Sequence, residues 1–130
     1  MNAPGGIPTE RQIQRAILEM CGHCYPRVFI HHSPNGAFLG SVRDKAIRGG
    51  ALKGDGTKAG FPDLLCLWAS HNGCMMEVKR PKTGVLNDNQ KSIHTILEGM
   101  CWPVAVVTSV QEAYDYLFIQ GAPRQAELRA

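Results

Sequence analysis

The sequence predicts an α/β fold, a small mixed sheet flanked by helices, in the order helix, strand, strand, strand, helix, strand, helix. Three observations carry this reading. Helix-capping signatures precede apolar residues at helical spacing. Short runs rich in β-formers lie between the helices, and two of them are separated by a tight turn signal. A chain of 130 residues with 44% hydrophobic content is one domain with a real core.

Thr9 at the N-cap and Gln12 at the third position form the first capping box. Ile13, Ala16, Ile17 and Met20 follow at helical spacing, so residues 9–20 read as an amphipathic helix that Gly22 ends. Arg27 to His32 reads as a strand through Val28, Phe29 and Ile30, and Pro34-Asn35-Gly36 as a turn. Residues 37–59 lack a clean period and read as a long loop with a short helix around Val42 to Ile47; so long a loop is usually functional. Phe61 to Ala69 is a continuous apolar run, expected to be a strand buried on both faces. His71-Asn72-Gly73 is the turn signal, and Cys74 to Lys79 the next strand, pairing antiparallel with the one before. Asn87 and Gln90 make a second capping box ahead of Ile93, Ile96, Leu97 and Met100, with Gly99 as the stop. Val104 to Thr108 is a strand reached by a crossover. Ser109 and Glu112 open a last helix with Val110, Ala113, Tyr114 and Leu117 on its apolar face.

The organisation is a flexible N-terminus at 1–8, one domain at 9–119 and a polar C-terminal tail at 120–130. No apolar run has the length of a membrane span, and the N-terminus lacks the basic and apolar regions of a signal peptide, so a soluble intracellular protein is expected. An odd count of five cysteines argues against a secreted disulfide framework. A net charge of +3 proves no nucleic-acid partner, but Arg43, Lys45, Arg48, Lys53 and Lys58 share one stretch with six glycines. Such a loop suits close approach to phosphates, although a solvated loop would have the same composition.

The chemistry concentrates in Gly60-Phe61-Pro62-Asp63 and Glu77-Val78-Lys79. On a strand, residues two apart share a face, so Glu77 and Lys79 stand side by side with Val78 turned into the core. If the strand after Asp63 pairs with theirs, two carboxylates converge beside one ammonium. Hard divalent cations bind through such carboxylates and phosphate, and a lysine there can hold the attacking water. Taken singly, Asp63 is an ordinary turn residue and Glu77 with Lys79 an exposed strand pair; the combination points to phosphodiester hydrolysis.

These residues resemble the PD-(D/E)xK nucleases, and within them the virus-type replication-repair nuclease domain, VRR-NUC, especially its small stand-alone phage forms. The likeness covers Glu10 to about Leu117. It rests on Glu10 with Gln14, the Pro34-Asn35-Gly36 turn, Gly60-Phe61-Pro62-Asp63-Leu64, Glu77-Val78-Lys79-Arg80-Pro81, Gly84, Gln90 and Gly99. It implies a restriction-endonuclease-like αβββαβ core. It implies Asp63 and Glu77 as metal ligands with the Val78 carbonyl, Lys79 as the water-positioning catalytic residue, Glu10 as a further metal candidate, and Gln90 as a residue of the site wall. Glu10 would be favoured in a first helical turn by the dipole alone, and the capping box with Asn87 is by itself a sufficient reason for Gln90.

The resemblance also implies a Mg²⁺-dependent deoxyribonuclease, with Mn²⁺ as a substitute. The expected substrate is branched DNA, above all the Holliday junction, cut by a homodimer in DNA repair within a bacterial or phage-infected cytoplasm. Phosphate contacts would come from Arg43, Arg48, Lys53, Lys58, Arg80 and Lys82. The alternatives are a flap nuclease or exonuclease, and a non-catalytic DNA-binding module, which would have no need of Asp63, Glu77 and Lys79 together.

Cys21-Gly22-His23-Cys24 matches the spacing of thiol oxidoreductases, but it follows a helix rather than opening one and lacks the dipole that lowers the thiol pKa. A zinc site from Cys21, Cys24, His31 and His32 is poorly spaced. One of the two histidines must face the side of the sheet that carries the acidic site. Trp68 and Trp102 read as core residues rather than base-stacking platforms.

Overall fold

A computed structural model describes residues 6–33, 54 and 56–129. The expected turn at Pro34 to Gly36, the helix around Val42 to Ile47, and Arg43, Lys45, Arg48 and Lys53 lie outside the described residues. The elements are α1 (Glu10–Cys24), β1 (Phe29–His32), β2 (Leu64–Trp68), β3 (Asn72–Val78), α2 (Asp88–Gly99), β4 (Val104–Val107) and α3 (Val110–Ile119). The strands form one mixed sheet in the order β1-β2-β3-β4. The first two pairings are antiparallel and β3–β4 is parallel, reached through α2. The predicted α/β class and element order hold.

Both capping boxes form. Gln12 N–H donates to Thr9 Oγ1 at 3.1 Å, and Thr9 N–H donates back to Gln12 Oε1 at 2.9 Å. Asn87 and Gln90 repeat the exchange at 2.9 and 3.0 Å. Each satisfies donors that a helix start leaves unpaired.

Gly22 does not end α1. Cys21 and Cys24 continue the buried stripe of Ile13, Ile17 and Met20, so packing carries the helix one turn further. Gly22 faces outward, where a Cβ would meet nothing within 4 Å.

The core lies between the sheet and the pair α1 and α3. Ile13, Ile17 and Met20 meet Leu64, Cys66, Cys74, Met76 and Val78 from the strands and Ala113, Tyr114 and Leu117 from α3. Tyr25 closes one end, its hydroxyl donating to the Tyr114 carbonyl at 2.9 Å. The tail folds back here: Gln125 N–H donates to the Cys24 carbonyl at 2.7 Å, and Leu128 packs on the core.

The opposite face of the sheet departs from expectation. β2 is buried on one face only, because Leu65 is half-buried and Leu67 is exposed. On α2 the buried residue is His94, whereas Ile96 and Met100 are exposed and Ile93 and Leu97 half-buried. The helix is thus rotated to carry a polar ring toward the sheet. The β2–β3 turn also sits earlier than expected: Asn72 and Gly73 already belong to β3, and Ser70 and His71 take the positive φ values, 71° and 62°. Gly73 is held in the strand by crowding, since a Cβ would approach Leu67 Cδ2 to 2.8 Å.

Candidate active site

The site forms where β2 begins and β3 ends. The last paired residues there are Leu64 and Met76, so the antiparallel register sets Asp63 opposite Glu77. Asp63 Oδ2 accepts the Val78 N–H at 2.8 Å. Val78 points into the core at 1% exposure, and the alternation of the strand turns Glu77 and Lys79 to the other face. The expected convergence of Asp63, Glu77 and Lys79 is therefore present.

Glu77 is the most enclosed of the three at 1% exposure, and Lys79 is also buried. Burial pushes the Glu77 carboxyl up to about 9, helped by hydrogen bonding and repulsion from Asp63; Lys79 opposes the rise, and Glu10 adds to it. An oxygen donor set of two adjoining carboxylates, one buried and poorly compensated, is suited to a hard divalent cation. Among the described residues no three His, Cys, Asp or Glu side chains group as a metal site, so any cation here relies on the two carboxylates together with backbone and solvent oxygens.

His94 completes the centre, and no motif pointed to it. Its Nε2 lies 3.2 Å from Glu77 Oε1, and its ring is buried. The geometry would serve an ion pair, but burial holds the imidazole below its ordinary range, so at neutral pH the contact is a hydrogen bond of a neutral ring. The available signal was its position one helical turn after Gln90, between Ile93 and Leu97.

Glycines bring the loops close. Gly60, at φ 90°, lies against the start of α2, where a Cβ would fall 2.5 Å from the Asn89 carbonyl carbon and oxygen. Gly84 folds onto the end of β3, where a Cβ would fall 2.6 Å from Arg80 O and 2.8 Å from Lys79 Cβ. Gln14 of α1 reaches His32, Nε2 to Nδ1 3.2 Å, and the same ring nitrogen lies 3.2 Å from the Asp63 carbonyl. His32 therefore faces α1, and His31, paired with Leu65, takes the side of the acidic residues.

The remaining candidates are dispersed. Gln90 commits its side-chain oxygen to the cap of α2. Arg80 donates from Nε to the Pro8 carbonyl and from Nη2 to the Ile7 carbonyl, both at 3.1 Å, which fixes the chain leading into α1. Lys58 and Lys82 are exposed in the loops before β2 and after β3. Cys21, Cys24, Cys66 and Cys74 are free and buried in the core. Burial pushes the Cys21 thiol up to about 12, the opposite of an activated thiol. Trp68 packs against the core as expected, whereas Trp102 is exposed and lies outside the core. No described helix is long and apolar enough to cross a membrane.

Comparison with known proteins agrees with this fold. The family model for the VRR-NUC domain matches residues 9–111. A solved structure described as a VRR_NUC domain protein superposes with a TM-score of 0.67 at 21% identity, covering 88% of each chain. Comparison with curated proteins gives no match.

Proposed function

Because the chain belongs to the VRR-NUC domain family, we propose that it is a divalent-metal-dependent, structure-selective DNA endonuclease whose substrate is the four-way junction. The observation that carries the reading is the pairing of Asp63 with Glu77 across two strands, with Lys79 on the same face. DNA as substrate follows from the nuclease-type fold; the junction and the metal are the further steps.

Asp63 and Glu77 would hold the cation, with the Val78 carbonyl as a backbone oxygen donor and Glu10 directed toward the waters of the ion. When bound there, Mg²⁺ would neutralise charge at the scissile phosphate and lower the pKa of an attacking water. Lys79 directs its ammonium at the attacking water and at the charge that develops on the phosphate. Glu77, held protonated to about 9 without a cation, must lose its proton to bind one, so activity rises toward mildly alkaline pH. Mn²⁺ substitutes for Mg²⁺, and Ca²⁺ supports binding with little cleavage.

Backbone contacts to DNA come from Lys58 and Lys82, with Arg43, Arg48 and Lys53 from the basic stretch, and affinity falls with salt. Arg80 acts through its hold on the α1 lead and through its remaining donors. Two copies of the chain, each with one site, cut two strands of a junction. The setting is DNA repair or replication in a bacterial cytoplasm, including one that carries a phage.

The test is cleavage of a labelled four-way junction and a matched linear duplex by wild type and Lys79→Ala, with Mg²⁺, Mn²⁺ or EDTA. Metal-dependent cuts confined to the junction and lost in the variant support the proposal. Cutting of both substrates removes the junction selectivity, degradation from ends indicates an exonuclease, and binding without cleavage indicates a non-catalytic module.

A further inference from the structure

Helix α2 touches Glu77 directly and, by a separate contact, the short loop that leads to Asp63. At its start, the Asn89–Gln90 backbone lies against Gly60 closely enough to exclude a Cβ, and Gly60 opens the short run that ends in Asp63. One turn later His94 reaches Glu77 Oε1 at 3.2 Å. The helix thus links the loop that leads to Asp63 with the strand end that carries Glu77.

The choice of histidine is informative. The neighbours of His94 on this side of α2 are Ile93 and Leu97, and buried Met75 shares the Glu77 face of the sheet. An apolar side chain would fill the same space without the cost of burying a polar ring. The ring's one polar contact to a site residue is with the carboxylate opposite Asp63. Groups that hydrogen-bond a ligand carboxylate fix its rotation, and their loss typically weakens metal binding 10–100-fold.

We propose that α2 is the aligning element of the metal centre and that His94 is a positioning residue, holding Glu77 in the rotamer that meets a divalent cation together with Asp63. His94 acts through Glu77 and touches neither substrate nor metal. The inference rests on the metal-dependent reading above.

The test measures Mn²⁺ binding to the DNA-free protein, by loss of the free Mn²⁺ electron paramagnetic resonance signal, in wild type, His94→Gln and His94→Phe. Glutamine keeps an N–H donor, whereas phenylalanine keeps a ring and removes the donor. His94→Phe should weaken Mn²⁺ binding by about 10–100-fold, and His94→Gln should stay within about threefold of wild type. Melting in EDTA should show His94→Phe folded; if it is not, His94→Leu makes the same comparison with a smaller apolar side chain. At limiting Mn²⁺ the donor-free variant should lose kcat with little change in KM for DNA, and added Mn²⁺ should restore it. Equal Mn²⁺ affinity in wild type and the donor-free variant overturns the role of His94 and leaves the metal reading standing. Equal weakness in His94→Gln and the donor-free variant also overturns it, because a donor would then not be what matters. No Mn²⁺ binding by wild type overturns the metal reading and this inference together.

Discussion

The carboxylate of Asp63 accepts the Val78 N–H at 2.8 Å, so a residue preceding one strand is pinned to the backbone between Glu77 and Lys79. Position and charge can therefore be separated by mutation. Asp63→Asn retains an acceptor for Val78 and removes the charge. It should fold like wild type and lose cleavage by about 100-fold or more, a loss typical of removing one strong electrostatic contributor. Asp63→Ala should lose cleavage as well and destabilise by about 1–3 kcal/mol, since it leaves the Val78 N–H without its partner. Single-turnover cleavage and denaturant melts distinguish the two.

Glu77 makes the metal-free fold sensitive to alkali. Its carboxyl rises from an ordinary 4.5 to about 9 on folding, mainly through burial. Below both values it is neutral folded or unfolded and adds no penalty. Between them the unfolded chain releases a proton that the folded chain keeps, so stability falls as pH rises through this window. Thermal melts in EDTA should show Tm declining from about pH 5 to about pH 9, and Glu77→Gln should flatten that decline. At pH 8 the variant should be the more stable by at least about 1 kcal/mol while binding no cation.

Two glycines should respond in opposite directions to alanine. Gly60→Ala forces a Cβ into the Asn89 backbone at a positive φ. It should cost about 1–3 kcal/mol and also lower cleavage by displacing Asp63. Gly22→Ala adds a methyl to open space within α1 and should stabilise by about 0.5–1 kcal/mol. Urea midpoints of the two variants check the contrast.

Tyr25→Phe removes the buried hydrogen bond to the Tyr114 carbonyl and leaves the ring contact, whose centroids are 5.6 Å apart. The expected cost is about 1 kcal/mol, read from the denaturant midpoint, with cleavage unchanged.

Local chemistry explains what the sequence made legible. Thr9 with Gln12 and Asn87 with Gln90 announce helix starts because both partners lie within one turn. Strand alternation sets Glu77 and Lys79 on one face whatever surrounds them, and the short turn after Trp68 forces β2 and β3 to pair. What escaped was settled between distant segments. Gly22 reads as a stop, yet the burial of Cys24 by the tail and core carries α1 past it. His94 reads as a polar break in an apolar repeat, and only the docking of α2 on the sheet beside β4 turns it to Glu77. Arg80 reads as one more basic residue, and its carbonyl partners lie more than seventy positions away.

That grip of Arg80 on Ile7 and Pro8 has a mechanical consequence. The residue beside Lys79 is a latch on the lead into the helix that begins with Glu10. Strain applied ahead of Thr9, by a bulky fusion or a tethered label, is transmitted to the end of β3 rather than dissipated in a slack leader. Such a handle would shift Lys79 from a point that a sequence map shows as remote.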